Sequence, residues 1–489
     1  MTTDYSRPLL LAALASGLEE GLEQLLRRRL VAVSIESDCP GAKLAGRIAI
    51  SMLQRLPSRV VLETSDLGGT DVSMLEEMAL EIAPEKPLMI AEAVNSDTDL
   101  KIHFGRTFRL GWLRSVPARY GAYVVRGSKK IDAAQFAYAI ASATAAALGV
   151  AEIFKDLIEV LPSRRVDHDF LSFCPVTLSS DLTAASANGN RFLRNDLAIA
   201  GVGAVGSAVA LILGAESFSG RVQLIDRERY SAENKATYAL GTALDVERST
   251  WKTAIAAAAL SQAEVIRFDG SIEEYVGAID VGAASWPRTV ISALDSIEAR
   301  HETQRLWPDN LIDAATGDTM LGLHHAVVGD ACLQCFLPKR ISQVSPLEEL
   351  AERTGLSLSQ VARGDDTLEK IHLIPLTSEQ RTLLAPHVGK KICALANAIG
   401  LTTRQANGFQ PSVPFVSMLA ASLAVGRLIA LNLGIPGLPN FVQFDSLIGP
   451  AHATVENRKP THNCYCQERS ETIDRLRERH ERSAAARDT

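Results

Sequence analysis

The stretch Leu197-Ala-Ile-Ala-Gly201-Val-Gly203-Ala-Val-Gly206-Ser207 decides the predicted fold of this chain. Four apolar residues lead into a glycine-rich turn, and an alanine- and leucine-rich segment follows at once. This order is typical of a buried parallel strand followed by a helix whose N-terminus binds a phosphate. We expect Gly201 to allow the tight turn, Gly203 to let backbone approach the ligand, and Gly206 to let the helix pack on the strand. Such turns also occur for packing alone, so this pattern by itself leaves ligand binding open.

A second apolar run, Arg221-Val-Gln-Leu-Ile-Asp226, ends in an acid 20 residues after Gly206. A carboxylate at the end of the second strand can accept hydrogen bonds from a ribose. The glycine turn and the acid together predict a nucleotide site in an α/β, Rossmann-like fold. They do not choose between NAD and ATP.

The composition excludes several other classes of protein. The chain has 489 residues, of which 47% are apolar and 22% charged, as expected for two or three globular domains. A net charge of -7 offers no basic surface for nucleic acid. The longest apolar run, Pro414 to Ile435, carries Arg427 and predicts a buried helix rather than a membrane span. Seven cysteines form no disulfide framework and indicate a reducing, cytoplasmic location.

The part of the chain before the glycine turn, called the first half, alternates strand-like and helical runs, which predicts a second α/β layer. It has no glycine-rich nucleotide turn, so we expect a related but inactive domain. The alanine-rich helices Phe136 to Lys155 and Pro414 to Ala430 support this relation, although any buried alanine-rich helix has a similar composition. Strands are expected at Leu30 to Ile35, Arg59 to Glu63, Leu88 to Ala93, Lys101 to Phe104 and Ala122 to Arg126, and, after the turn, near Val265 to Phe268, Thr289 to Leu294, Leu311 to Ala314, Leu321 to Val328 and Phe441 to Asp445.

Changes in composition predict six segments along the chain. The tail is highly charged and gives little reason to pack tightly, and the insertion is rich in Glu, Ser and Leu, which favours helices. The predicted boundaries are 1–165 for the inactive α/β domain, 166–195 for a polar linker, 196–338 for the first part of the active domain, 339–410 for a mainly helical insertion, 411–467 for the second part of the active domain, and 468–489 for the tail.

Two cysteine pairs, Cys332-x-x-Cys335 and Cys464-x-Cys466, predict a metal site. Two thiolates on one turn can bind the same ion, and two such pairs complete a tetrahedral zinc site. A site with four thiolates is closed, so the Zn²⁺ would be structural. The alternative is four ordinary cysteines, because the C-terminal spacing is shorter than the usual C-x-x-C.

Three further residues are candidates for contacts with a nucleotide. Asn234 can donate to ribose or phosphate oxygens, and Lys252 lies on a predicted helix that could point it at the phosphates. Asp295 follows the apolar strand Val290 to Leu294, at the edge where open α/β sheets bind ligands, and could hold Mg²⁺. Each of them alone could equally be a solvated surface residue or a helix cap.

The ordered set resembles the ubiquitin-activating and ThiF/MoeB family of ATP-dependent adenylating enzymes, over about residues 195 to 466. The resemblance implies a ThiF/Rossmann-like adenylation fold and adenylation of the C-terminal glycine of a ubiquitin-like or sulfur-carrier protein. It further implies that Asp226 binds the ribose, and that Asn234 and Lys252 contact the phosphates. Asp295 would bind Mg²⁺, and Lys252 and Asp295 would serve catalysis. The features that carry the resemblance are Gly201-x-Gly203-x-x-Gly206, Leu224-Ile-Asp226, Glu233-Asn234, Lys252, Ala293-Leu-Asp295 with Arg300, Cys332-x-x-Cys335 and Pro411 to Ser417.

One position departs from the family pattern. The family usually has an arginine three residues after the asparagine, where this chain has Thr237. The missing phosphate contact would then come from elsewhere, and the expected source is an arginine of the first half such as Arg106, Arg109 or Arg114.

An inactive half before an active half in one chain resembles the protein-conjugating members of the family. These members carry a cysteine in an insertion between the zinc pairs, and Cys393 is the only cysteine in that interval here. The resemblance implies a thioester with the ubiquitin-like protein at Cys393, whose pKa the neighbouring Lys390 and Lys391 could lower. The alternative is a structural cysteine on the apolar side of a helix.

The favoured function is therefore activation of a ubiquitin-like protein in a bacterial, antiphage (Bil-type) conjugation system, with ATP, Mg²⁺ and structural Zn²⁺. The expected partners are a ubiquitin-like protein that ends in glycine and a conjugating enzyme, with no nucleic acid and no membrane. The sequence leaves a homodimer open. Three alternatives remain: activation of a sulfur-carrier protein without a thioester, a nucleotide-binding scaffold without catalysis, and NAD-linked redox chemistry.

Overall fold

The computed structural model forms two compact units, one made of residues 1–338 and 412–489 and the other of residues 339–411. The described residues are 4–18, 21–94, 98, 100–131, 134–162, 165–183, 196–338, 346–363, 367–389, 392, 395 and 412–485.

The first half is built on a seven-stranded sheet with helices beside it. Its central strands are almost entirely buried, as their runs of valine, isoleucine and leucine predict. The strands are β1 (Leu30–Ile35), β2 (Arg59–Glu63), β3 (Met89–Ala91), β4 (Leu100–Phe104), β5 (Leu113–Ala118), β6 (Gly121–Val125) and β7 (Phe170–Phe173), and the helices are α1 (Ser6–Ser16), α2 (Leu22–Arg28), α3 (Ala42–Gln54), α4 (Gly69–Ile82) and α5 (Ala139–Leu157).

The second half is built on an eight-stranded sheet, interrupted in sequence by the insertion. Its strands are β8 (Asp196–Ala200), β9 (Arg221–Ile225), β10 (Glu264–Phe268), β11 (Thr289–Ser292), β12 (Asn310–Gly317), β13 (Met320–Ala326), β14 (Phe441–Asp445) and β15 (Thr454–Glu456). Its helices outside the insertion are α6 (Ala204–Ala215), α7 (Ala243–Glu247), α8 (Lys252–Ala259), α9 (Ile272–Asp280), α10 (Ile297–Gln304), α11 (Leu333–Phe336), α15 (Pro414–Asn432), α16 (Tyr465–Glu468) and α17 (Ser470–Ala485).

The two sheets have the same topology. The first has the strand order β3-β2-β1-β4-β5-β6-β7, and the second has the order β10-β9-β8-β11-β12-β13-β14-β15. In both, the first five strands in that order are parallel and the later ones antiparallel. The predicted fold class, an α/β protein with two related Rossmann-like halves, is confirmed.

Helices of the two halves share one apolar core. The aromatic rings of Phe154 on α5 and Phe415 on α15 lie 5.1 Å apart. Close packing explains the glycine in each helix: a Cβ on Gly149 would lie 2.6 Å from Ile102, and one on Gly426 would lie 2.4 Å from the carbonyl oxygen of Pro175. Among the described helices, α15 is long and apolar enough to cross a membrane, but 94% of its most apolar window is buried inside the protein.

Two segments differ from the sequence-based expectation. Residues 166–195 were expected to form a linker, but β7 pairs with β6 and extends the first sheet to Phe173. The charged tail was expected to pack loosely, yet α17 packs on the second half. His480 stacks on Trp286 with 5.8 Å between the ring centres, and Ile473 is buried among the four cysteines of the two pairs. Isoleucine and histidine on one face of the helix, seven residues apart, explain this packing.

The second unit, residues 339–411, is mainly helical where it is described. It includes the helices α12 (Pro346–Thr354), α13 (Leu358–Arg363) and α14 (Ser378–Leu384) and the 3₁₀ segments Lys370–Leu373 and Ala385–His387. It has its own apolar core, as expected for a segment that folds around its own leucines. The buried members of this core are Leu350, Leu356, Val361, Leu368, Leu376, Leu384, Ile392 and Leu395.

Candidate functional site

The glycine turn lies between β8 and α6, at the carboxyl end of the second sheet. Gly201 has a φ of +85°, a left-handed conformation that favours glycine. A Cβ on Gly206 would lie 2.0 Å from the carbonyl oxygen of Gly201, so the helix can approach the turn only with glycine there. A Cβ on Gly203 would meet no atom within 4 Å. The turn therefore exposes its backbone at Gly203 and is tightly packed at the other two glycines.

Asp226 follows β9 and lies beside this turn. One carboxylate oxygen, Oδ2, accepts a hydrogen bond from the amide of Val202 at 2.7 Å, and Oδ1 accepts one from the amide of Glu228 at 2.8 Å. Burial raises the pKa of Asp226, although the charge of Lys252 and these two amides oppose that rise. The acid therefore lies where the ribose of a nucleotide on the turn would be expected.

Lys252 is buried at the start of α8, and its ammonium forms an ion pair with Glu228. Burial alone would raise the pKa of Glu228, but the hydrogen bond and charge of Lys252 hold that pKa below its usual value. Glu228 itself is 58% exposed, so this ion pair borders solvent. A buried lysine whose charge faces an exposed carboxylate is suited to exchange that carboxylate for a phosphate.

Asn234 ends the 3₁₀ helix Ala232–Asn234, three residues after Ser231. Its Oδ1 accepts hydrogen bonds from both the amide and the hydroxyl of Ser231, each at 3.0 Å. The side chain therefore closes its own turn, and its amide nitrogen is the part available for donation.

Asp295 is exposed in the turn after β11. The same turn contacts the glycine turn, since a Cβ on Gly201 would lie 2.8 Å from the carbonyl oxygen of Ala293. Because β8 pairs with β9 on one side and with β11 on the other, Asp226 and Asp295 border the glycine turn from opposite sides. The strand order reverses at this point, where open α/β sheets bind their ligands.

A buried network supports the turn that carries Asp295. Arg300 donates to the carbonyl oxygen of Leu294 at 2.9 Å and to the carboxylate of Asp313 at 3.0 Å. Asp313 is fully buried and also accepts from Ser292 at 2.8 Å, with Nδ1 of His324 at 2.8 Å from its other oxygen. Burial would raise the pKa of Asp313, but Arg300, His324 and Ser292 lower it below its usual value.

The three arginines expected to replace the missing family arginine do not serve that purpose in the structure. Thr237 is buried and lines a small cavity with Met52 of the first half. The candidates interact within the first half instead: Arg106 with Cys39, Arg109 with Ser34 and Glu63, and Arg114 with the carbonyls of Arg106, Gly127 and Lys129.

Two other cations that the sequence did not predict lie at the site or next to it in the chain. The charge of Arg7, on α1, helps to lower the pKa of Glu228, the partner of Lys252. Lys235 follows Asn234, is buried, and has no hydrogen-bond partner for Nζ among the described residues. Burial lowers the pKa of Lys235. No local sequence pattern predicts a role for Arg7, because it lies near the N-terminus, far in sequence from the other site residues. Lys235, in contrast, could have been identified from its position beside Asn234.

The corresponding edge of the first sheet is occupied by its own side chains. Nε2 of His103 lies 3.4 Å from the carboxylate of Glu36, and its Nδ1 lies 3.2 Å from the hydroxyl of Ser34. Arg109 forms an ion pair with Glu63 and also donates to Ser34. These contacts lie where β1, β2 and β4 end, the positions that border the glycine turn in the second half.

Cys332, Cys335, Cys464 and Cys466 come together as predicted from their spacing. The Sγ–Sγ distances are 3.7 Å for Cys332 and Cys335, 3.5 Å for Cys332 and Cys464, and 3.7 Å for Cys335 and Cys466. Four sulfurs around Zn²⁺ at about 2.3 Å would lie about 3.8 Å apart, so the residues fit this ion.

One thiol of the cluster is already poised to be a thiolate, the form that binds metal. Although burial opposes it, a hydrogen bond from the amide of Thr461 and contacts with the neighbouring cysteines lower the pKa of Cys335 to about 7. The cluster lies between α11 and α16, the two short helices that present the pairs. A metal here would join the segment before the insertion to the C-terminal segment.

Of the remaining predicted residues, Cys393 lies outside the described residues, as do Lys390 and Lys391 beside it. The structure therefore brings together Gly201, Gly203, Gly206, Asp226, Lys252 and Asp295 around one sheet edge, with Asn234 on the segment that follows β9, and gathers the four cysteines in a separate cluster.

A glycine turn at the switch point of a doubly wound sheet, bordered by acids from both neighbouring strands, defines a nucleotide-binding α/β protein. A model of the ThiF family matches residues 181–467, and the chain belongs to this family. It is thus a homologue of adenylating enzymes, which implies ATP as the nucleotide.

Several solved structures are similar to this chain at low identity. Escherichia coli MccB with MccA-N7isoASN is 16% identical with a TM-score of 0.35, over 56% of this chain and 67% of that one. MccB with succinimide is 14% identical with a TM-score of 0.37, over 72% and 97%. PaaA is 19% identical with a TM-score of 0.22, over 27% and 41%. Among proteins of curated function, none matches the chain in sequence.

Proposed function

We propose that this protein activates a ubiquitin-like protein by ATP-dependent adenylation of its C-terminal glycine. The observation that carries the proposal is the glycine turn of the second half, with Asp226 and Asp295 on its two sides. Membership of the ThiF family supports adenylation as the chemistry.

Each side chain near the turn has a role in binding ATP under this proposal. Asp226 binds the ribose hydroxyls, while Lys252 and the amide nitrogen of Asn234 contact the phosphates. Arg7 supplies positive charge that the family arginine would have provided, since it acts on Glu228, the partner of Lys252.

Two metal ions fit the side chains present. The exposed carboxylate of Asp295 offers the oxygen ligand that Mg²⁺ prefers, and Mg²⁺ would offset charge on the phosphates. The four cysteines would hold Zn²⁺ as a structural ion, with no part in the reaction.

The reaction proceeds in three steps. The glycine carboxylate of the ubiquitin-like protein attacks the α-phosphate of ATP, forming an acyl adenylate and releasing pyrophosphate. The thiolate of Cys393 then attacks the acyl carbon, forming a thioester and releasing AMP. A cysteine of a conjugating enzyme finally takes the acyl group from Cys393 by thioester exchange.

Two features support activation for protein conjugation, with a thioester step, over activation of a sulfur-carrier protein without one. The first half has the same strand order as the second, and its corresponding sheet edge is filled by ion pairs such as Arg109 with Glu63. The chain also contains a separate compact unit, residues 339–411, to which Cys393 belongs in sequence. We further propose that the system is a bacterial, cytoplasmic antiphage pathway of the Bil type.

The test is intact mass measured under non-reducing conditions. The full chain is mixed with ATP, Mg²⁺ and the product of a neighbouring gene that encodes a small protein ending in glycine. The Cys393→Ala variant is run beside it, with Cys174→Ala as a matched control at a buried cysteine of the first half.

An adduct of one partner mass that thiol removes, present in Cys174→Ala and absent in Cys393→Ala, is the expected result. An acyl adenylate without any adduct would assign Cys393 a structural role and favour activation of a sulfur carrier. Absence of pyrophosphate exchange would favour a scaffold without catalysis.

A further inference from the structure

Arg55 joins the first half to the nucleotide site of the second. It follows the last residue of α3, and its side chain is fully buried. The guanidinium donates hydrogen bonds to three backbone carbonyls of the second half: Lys235 at 2.6 Å, Gly241 at 3.1 Å and Ala239 at 3.3 Å. One planar donor group thus holds three carbonyls of a single short segment, residues 235–241.

Carbonyls and phenols surround this buried charge. Burial lowers the pKa of Arg55, and the nearby phenols of Tyr230 and Tyr238 oppose that change. Among the described residues, no carboxylate pairs with it. Burying a charge without a counter-ion is costly, so its stabilisation must come from the carbonyl dipoles of residues 235–241. Any movement of that segment would leave the charge and the carbonyls unpaired.

The segment 235–241 also contacts both elements that face the phosphates. The amide of Ala239 donates to the hydroxyl of Ser207, in the first turn of α6, at 3.0 Å. The hydroxyl of Tyr238 donates to the carbonyl of Lys252, at the start of α8, at 3.0 Å. Asn234 directly precedes the segment. Arg55 therefore fixes a piece of backbone that sets the relative positions of the glycine turn, Lys252 and Asn234.

We propose that Arg55 is a positioning residue of the adenylation site, through which the first half determines the ATP affinity of the second. It acts on the nucleotide through the backbone of residues 235–241, which holds Asn234 against the phosphates. The inference rests on the proposed function, because it needs ATP as the ligand of the glycine turn.

Arg114 provides a matched control. Its buried guanidinium also donates to three backbone carbonyls, those of Lys129 at 2.5 Å, Arg106 at 2.8 Å and Gly127 at 3.0 Å, but all three belong to the first half. Arg55→Met and Arg114→Met therefore each remove a guanidinium from three carbonyls, and only Arg55→Met removes contacts with the second half.

The experiment measures ATP binding to the full chain by titration calorimetry, and amide hydrogen exchange across residues 235–241 without nucleotide. For Arg55→Met we expect an ATP dissociation constant raised about tenfold or more and faster exchange in the segment, with Arg114→Met within about twofold of wild type. In a pyrophosphate-exchange assay, Arg55→Met should raise KM for ATP, while kcat changes by less than about threefold. Arg55→Lys keeps the charge but reaches fewer carbonyls, so we expect its loss of ATP affinity to lie between those of wild type and Arg55→Met. This variant also tests the proposal if Arg55→Met does not fold.

Wild-type affinity in both Arg55 variants, or equal losses in Arg55→Met and Arg114→Met, would overturn the positioning role. If the wild-type chain binds no ATP, the proposed function fails instead. Amide exchange in the segment would then still decide whether Arg55 holds it in place.

Discussion

The carboxylate of Asp226 accepts a hydrogen bond from the backbone amide of Val202, with 2.7 Å between Oδ2 and the nitrogen. Val202 lies between Gly201 and Gly203, so the acid at the end of β9 is bonded to the turn at the end of β8. The same carboxylate is the one proposed to bind the ribose. Its removal should therefore affect both the shape of the turn and the affinity for the nucleotide.

Asp226→Ala should weaken ATP binding while the fold is kept. The change removes the acceptor for the amides of Val202 and Glu228 as well as that for the ribose, and hydrogen bonds to a charged acceptor contribute about 1.5–3 kcal/mol each. We expect the ATP dissociation constant, measured by calorimetry, to rise about tenfold to a hundredfold. Asp71→Ala, which removes a surface ion pair with Lys43, is the control. Unchanged affinity in Asp226→Ala would exclude Asp226 from the nucleotide site.

Zinc removal should destabilise the C-terminal segment, because the cysteine cluster holds α11 and α16 together. Cys464→Ser should reduce the zinc content, measured by plasma mass spectrometry, from about one ion per chain to near zero. The free energy of unfolding should fall by about 4 kcal/mol or more, because loss of a structural metal is among the few changes with effects this large. Cys39→Ser changes a buried cysteine outside the cluster and should keep the ion. Equal zinc contents in the two variants would count against the site.

Much of the fold could be predicted from apolar runs, and the failures have identifiable causes. The strands Arg59–Glu63 and Phe441–Asp445 have the predicted bounds. Strand β5 was missed because it contains Arg114 and Pro117, which interrupt the apolar pattern. Arg114 is buried all the same, since it donates to carbonyls from two separate loops. Such compensation depends on distant segments, so no local pattern reveals it.

The candidate site, too, could be predicted only in part from the sequence. The glycine turn and Asp226 were predicted because their spacing reflects one strand-turn-helix-strand unit. Arg7 and Arg55 come from the first half and act on residues far away in sequence. Their roles follow from how the halves pack, which periodicity and spacing do not encode.

Asp313→Asn should be strongly destabilising, because it leaves Arg300 and His324 without their buried carboxylate. Breaking a buried ion pair from one side costs about 3–5 kcal/mol. Denaturant unfolding should show this loss, whereas Asp309→Asn, at partly exposed ion pairs with Arg288 and Arg477, should cost about 2 kcal/mol or less. Similar losses in both variants would mean that the Asp313 network is not the main support of this sheet edge.

Glu216 should make stability decrease as the pH rises towards neutral. Its carboxylate accepts a hydrogen bond from the amide of Ile140, and burial raises the pKa of Glu216 from 4.5 to about 7. Between these two values the folded protein holds a proton that the unfolded chain has released, so rising pH favours unfolding. The slope is at most about 1.4 kcal/mol per pH unit.

Glu216→Gln should flatten this dependence in denaturant unfolding measured from pH 5 to pH 8, since glutamine keeps the acceptor and does not titrate. Glu159→Gln, at an exposed ion pair with Arg29, should leave the slope as it is in wild type. A slope that is the same in Glu216→Gln and wild type would assign the pH dependence to other groups.

Glu228→Gln should strengthen ATP binding. Without nucleotide, Lys252 pairs with Glu228, whose side chain is 58% exposed, so the phosphates must compete with this carboxylate for the ammonium. Because the pair borders solvent on the side of Glu228, its contribution should be close to the surface value of about 1 kcal/mol, so we expect KM for ATP in pyrophosphate exchange to fall by up to about fivefold. Added salt should reduce the difference because it screens both interactions. Glu233→Gln removes a nearby exposed charge that does not pair with Lys252, and it should change KM much less. A higher KM in Glu228→Gln would mean that Glu228 helps to bind the nucleotide, and that its pairing with Lys252 orients the lysine rather than competing for it.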